Sequence, residues 1–184
     1  MNPAIITDGA SGMVTWTTAV NLTTFTLEAW VKPDAASTTN ASIILTTDAH
    51  GQQITLTNQV RIAAQGVFEA YVWDGQPKVV DGTTHVVAGT RYHVVVTATN
   101  GGQMHLYVNG VEEGTPVNIA TLQTGGTKML IGSNSGAGMN FFKGTIDDTA
   151  IYANALTAAQ VRAHYNAGLS CATPTPTPCG GCGC

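Results

Sequence analysis

Apolar side chains recur at every second position through much of this chain, and that period predicts β-strands. In Phe25–Pro33, the residues Phe25, Leu27, Ala29 and Val31 share one side, and Thr26, Glu28, Trp30 and Lys32 share the other. Tyr92, Val94, Val96 and Ala98 form a second set; Met104, Leu106 and Val108 oppose Gln103, His105 and Tyr107; Phe68, Ala70 and Val72 oppose Glu69, Tyr71 and Trp73. Only an extended strand sends alternate residues to opposite faces. Shorter strands are expected near 4–7, 12–17, 42–47, 53–57, 59–64, 85–88 and 128–132.

Turn residues separate these runs. Asn109–Gly110 suits a tight hairpin, whose two central residues need positive φ. Asn100-Gly101-Gly102, Asp74–Gly75, Asp81–Gly82 and Gly125–Gly126 punctuate the rest. One helix is expected from about Thr157 to Asn166. Thr157 and Gln160 make a capping box, Ala158, Val161 and Tyr165 fall on one stripe, and Gly168 is placed to end the helix. Proline at alternate positions from Pro174 to Pro178 then forbids helix and favours an extended spacer. The organisation read from the chain is a domain over 1–170 and a tail over 171–184. Many strands, closely spaced turns and one short C-terminal helix fit an all-β fold, a two-sheet antiparallel sandwich or jelly roll.

Composition narrows the function. Of the 184 residues, 43% are hydrophobic, enough for a full core, while only 10% are charged. A net charge of −4 gives no basic footprint for nucleic acid. No stretch is long and apolar enough for membrane insertion. The chain opens without a charged segment followed by an apolar one, so a secretion signal is either already removed or never used. All four cysteines, Cys171, Cys179, Cys182 and Cys184, lie in the tail, leaving the domain free of disulfides. For the tail, disulfides are expected over a zinc clip, because only Cys179 and Cys182 have zinc-like spacing. Asn21-Leu-Thr23 and Asn40-Ala-Ser42 are glycosylation sequons, frequent by chance in such a composition.

Several segments, in order, resemble one family. They are Ile6-Thr-Asp-Gly9, FTLEAWVKP at 25–33, YHVVVT at 92–97, LYVNG at 106–110, Ile131–Gly132, FKGTIDD at 142–148 and IYANALTAAQV at 151–161. Together they resemble the laminin G-like, concanavalin A-like lectin/glucanase jelly rolls over nearly residues 4–168. The resemblance implies the jelly-roll sandwich, with two stacked antiparallel sheets, and little about activity, since function lives in sites grafted on a fold. It also implies one structural Ca²⁺ held by Asp8 with Asp147 or Asp148, the latter favoured. The alternative reading makes Asp8 a turn residue before Gly9 and one of the later pair an acceptor for a backbone amide.

Catalytic patterns are missing. Glycosidases on related jelly rolls set two carboxylates toward one cleft. Glu112 and Glu113 are adjacent, so a strand points them apart, and Asp147 and Asp148 share that fault. There is no G-x-S-x-G elbow and no zinc spacing among the five histidines. For glycan binding, aromatic faces beside polar groups are needed. Tyr71, Trp73 and Tyr107 lie opposite the expected core, with Asp74 and His105 nearby, although each aromatic also suits a second packing layer.

The expectation is therefore a non-catalytic module, extracellular, secreted or on the surface of a virion or filament. It binds a glycan or cell-surface polysaccharide, or mediates adhesion. The alternative is a self-assembling structural subunit of a filament or phage virion surface, whose cysteine-rich tail contacts other copies of the chain. A glycoside hydrolase is the third and weakest reading.

Overall fold

The computed structural model describes residues 4–17, 22–34, 41–47, 58–62, 66–122, 128–133 and 140–171. The expected strand at 53–57, the Gly125–Gly126 turn, Asn21, Asn40, and Cys179, Cys182 and Cys184 lie outside these residues. So do positions 63 and 64 of the 59–64 strand.

The described residues form two six-stranded antiparallel sheets. The first comprises, in spatial order, β1 (Ile5–Asp8), β12 (Lys143–Tyr152), β3 (Thr24–Pro33), β8 (Tyr92–Thr99), β9 (Gln103–Val108) and β10 (Val111–Asn118). The second comprises β2 (Val14–Trp16), β11 (Lys128–Ile131), β4 (Ala41–Thr47), β5 (Asn58–Ile62), β6 (Val67–Trp73) and β7 (Pro77–His85). The period-two sets meet between the sheets: Phe25, Leu27, Phe68, Val72, Val94, Val96, Met104 and Leu106 are all buried in one cluster. Removing each such side chain from water contributes about 1.5–3 kcal/mol, offset by the entropy of ordering the chain. Asn109 and Gly110, at φ 53° and 75°, turn β9 into β10 as their chemistry predicts.

Glu113 closes one side of the sandwich. It lies on β10, at the edge of the first sheet. Its carboxylate accepts from the backbone N–H groups of Thr83 and Thr84 at 2.8 and 2.9 Å and from the Thr84 hydroxyl, all on β7 at the edge of the second sheet. Hydrogen bonds to charged acceptors are the stronger kind. Glu113→Ala is expected to lower stability by about 2 kcal/mol in urea unfolding, and a loss below about 0.5 kcal/mol would show that the seam holds without it.

Two sequence expectations need correction. Asp81 and Gly82 do not form a turn; they sit inside β7, where ladder pairing overrides their turn preference. The helix α1 (Ala158–Cys171) does not stop before Gly168 but runs through it. Its inward stripe is Val161, His164, Tyr165 and Gly168, while Ala158 is exposed. The capping box is present: Gln160 N–H donates to Thr157 Oγ1 at 3.3 Å and Thr157 N–H donates to Gln160 Oε1 at 2.9 Å.

The first sheet's outer face is covered by α1. Thr26, Glu28, Trp30, His93 and Val95 are therefore buried even though they point away from the main core. Val95, Tyr107, Leu156 and Val161 form a second apolar cluster under the helix, with Tyr152 packed against it. Leu156 N–H donates to Thr26 Oγ1 at 2.9 Å, and that hydroxyl donates to Asn154 O at 2.7 Å, pinning the segment that leads into α1.

Candidate functional site

Where that lead-in segment crosses β8 and β9, the outer face of the first sheet is hollowed into a cleft of about 470 Å³. Thr97 and Thr99 of β8 and Gln103, His105 and Tyr107 of β9 line it, because odd positions on both strands point outward. Ala155, Leu156 and Thr157 form its other wall. His105 and Tyr107, two apart on one strand, stack with ring centroids 6.3 Å apart and 21° between planes. Glu112, opposite Tyr107 on β10, holds His105 Nδ1 at 2.6 Å. Tyr107 bonds Thr97, and burial, then the nearby Glu112 charge, push its phenol above the ordinary range. Gln103 Nε2 donates to Asn118 Oδ1 at 3.2 Å across the β9–β10 ladder.

The residues singled out from the sequence do not form one site. His105 and Tyr107 come together in this cleft. Tyr107 is only 5% exposed, so it serves as a packed wall and not as the open platform expected. Tyr71 and Trp73 lie half-buried on β6 of the other sheet, Tyr71 against Leu45 and Leu130. Asp74 ties a loop. Its carboxylate accepts from Ala120 N–H at 3.0 Å and pairs with Lys78 at 3.6 Å, with only 3% of the side chain exposed. The Ala120 bond, outweighing desolvation, holds it below the ordinary carboxylate range.

The expected calcium ligands do not converge. Asp8 caps its own turn, accepting from the backbone N–H groups of Ala10, Ser11 and Gly12 at 2.8–3.1 Å and from the Ser11 hydroxyl. Those bonds, Ser11's foremost, hold it far below the ordinary carboxylate range. Its partner across the ladder is Lys143, so Asp147 and Asp148 stand four and five positions further along β12, at least about 13 Å away. Asp147 Oδ1 accepts from Asp148 N–H at 2.9 Å at a bulge where Asp148 has φ 46°. Among the described residues no group of three or more His, Cys, Asp and Glu is placed to hold a metal. Cys171 is the last residue of α1.

One polar cluster was not anticipated. Beneath α1, buried Glu28 accepts from His93 Nε2 at 2.7 Å and from His164 Nδ1 at 3.0 Å. Burial pushes Glu28 up, but these two histidines outweigh it and hold the carboxyl below its ordinary value. Tyr152 also bonds Glu28, and burial with that charge pushes its phenol up to about 12. Beside it, Trp30 stacks on Tyr165 at 5.7 Å and takes the Arg91 guanidinium 3.8 Å over its ring. A glutamate in the middle of an apolar strand was the available signal.

Two stacked antiparallel sheets of this topology define a jelly-roll β-sandwich of the concanavalin type. Residues 8–162 match the profile of the Concanavalin A-like lectin/glucanases superfamily, of the Laminin G 3 type, and the chain belongs to that superfamily. Solved structures of similar fold include the native heptameric SAP-like pentraxin from Limulus polyphemus, with 20% identity and a TM-score of 0.65 over 88% of this chain and 76% of that one. Domain 4 of AbnA, a GH43 extracellular arabinanase from Geobacillus stearothermophilus, in complex with arabinotriose, has 24% identity and a TM-score of 0.59 over 78% and 67%. The binding domain of Botulinum neurotoxin DC, in complex with rat synaptotagmin II, has 13% identity and a TM-score of 0.64, covering 85% of this chain and 40% of the toxin domain. No curated protein sequence matches the chain. Among the described residues no helix is long and apolar enough to cross a membrane.

Proposed function

We propose that this domain is a non-catalytic, extracellular glycan-binding module and that the cleft along β8 and β9 holds the sugar. The observation that carries the reading is the cleft itself, where a stacked imidazole–phenol pair, braced by Glu112 and Thr97, sits among hydroxyl and amide side chains. Sugars are recognised by apolar walls with a few fixed polar groups. A domain of the same fold in complex with arabinotriose supports a carbohydrate ligand.

The arrangement of carboxylates supports a binding role over hydrolysis. Glycosidase chemistry needs two carboxyl groups flanking one bond. Glu112 serves His105 on the outer face, whereas Glu113 serves Thr83 and Thr84 across the seam.

A glycan array, run with and without Ca²⁺, tests the reading. Binding is expected, with His105→Ala and Gln103→Ala each weakening it about fivefold to tenfold, as loss of one hydrogen bond would. Trp73→Ala, on the opposite sheet, is expected to leave it unchanged. No bound glycan under either condition, or loss through Trp73 and not His105, would overturn the assignment.

A further inference from the structure

The hydrogen bonds already made inside the cleft determine which class of sugar it can still serve; this step rests on the glycan-binding reading above. The Glu112 carboxylate only accepts, so His105 Nδ1 carries the hydrogen in their 2.6 Å contact. No described residue bonds its Nε2. Gln103 spends one amide hydrogen on Asn118 Oδ1, which leaves its second amide hydrogen and its carbonyl oxygen to the ligand. The Thr157 hydroxyl gives its hydrogen to Gln160 Oε1 at 2.9 Å. The lining therefore meets a ligand with neutral amide and hydroxyl groups, which pair with sugar hydroxyls in either direction.

Charge points the same way. The lining contains neither Lys nor Arg. Arg91 lies four residues before Val95, the ladder partner of lining Tyr107, about 13 Å along the strand direction with its guanidinium over Trp30, and exposed Arg162 is not part of the wall. Glu112 is the ionisable carboxylate beside the cleft, 40% exposed and bonded to a lining residue. The start of α1 contributes an opposite bias, but it amounts to a partial charge worth about 0.3–1 kcal/mol, and the capping box already engages its first turn. A full negative charge beside a lining without Lys or Arg outweighs that.

We infer that the cleft selects uncharged, hydroxyl-rich glycans and rejects acidic ones, with Gln103 hydrogen-bonding sugar hydroxyls and Glu112 repelling carboxylate or sulfate. A carboxylate or sulfate brings a full negative charge to a lining that holds no Lys or Arg to meet it. A neutral sugar brings several O–H donors.

The test is an array of matched oligosaccharide pairs, identical except for a terminal sialic acid or for glucuronic acid in place of glucose. The neutral member is expected to bind at least tenfold tighter. Glu112→Gln should narrow the gap to within about threefold, because its charge is gone. On the unaltered protein, raising salt should recover part of the acidic member's binding, since screening weakens repulsion between exposed charges. Acidic members binding as well as or better than neutral ones would overturn this inference and leave the glycan-binding reading intact. Failure of every member to bind would remove that reading and the inference with it.

Discussion

Glu28→Ala should cost the fold about 3–5 kcal/mol, the usual penalty for removing one partner from a buried charged cluster. The carboxylate is the hub on which His93 from β8, His164 from α1 and Tyr152 from β12 converge. Without it, three buried or half-buried polar groups lose their common partner, and leaving such groups unsatisfied costs more than making the bonds returns. His93 is the most exposed to that loss, because it is fully buried and its Nδ1 already has no partner among the described residues. Urea unfolding measures the effect, and a loss below about 1 kcal/mol would show that the cluster is incidental. The same site sets a pH dependence. Glu28 has a folded value lowered from 4.5, so its contribution is complete above that pH and is lost as pH falls through the folded value. Stability should therefore decline below about pH 4.5, less steeply in Glu28→Gln, whose side chain does not titrate.

Gly168→Leu should lift the last turns of α1 off the sheet. A Cβ at this position would stand 2.2 Å from Trp30 Cζ2 and 2.6 Å from Cε2, against the roughly 3.5 Å that two carbons need. Trp30 cannot retreat: it is buried, stacked on Tyr165, tilted against His93 at 4.9 Å and covered by Arg91. Alanine is instructive because helix propensity favours it over glycine by about 1 kcal/mol. Overpacking costs about 1–3 kcal/mol, so even Gly168→Ala should come out destabilising, and leucine more so. We expect the thermal midpoint to fall by about 3–10 °C, together with altered tryptophan fluorescence. An alanine variant more stable than the parent would mean the helix docks with more slack than these distances allow.

Gly168 also shows what a sequence pattern can and cannot reveal. A glycine after a helical stripe reads as a stop, because its usual reason is a left-handed φ. Here the reason is a tryptophan 138 positions earlier, a contact that no local pattern encodes. The sandwich was legible because its signal is local: period-two alternation in Phe25–Val31, Tyr92–Ala98 and Met104–Val108, with Asn109–Gly110 between strands. The third layer was not. Thr26, Glu28 and Trp30 alternate with the core set, and only the path of the chain returning through α1 buries them. The candidate site divided for the same reason. His105 and Tyr107 meet because i and i+2 share a strand face, whereas Tyr71 and Trp73, with the same local pattern, went to the opposite sheet.

Thr157 belongs both to the wall of the cleft and to the cap of α1, and the helix then runs 14 residues across the first sheet. At 1.5 Å per residue it sets Cys171 about 20 Å from the cleft, on the same outer face of the molecule. A label or support coupled at Cys171 itself therefore shares the face on which the cleft opens, whereas attachment on the opposite sheet leaves that opening unobstructed.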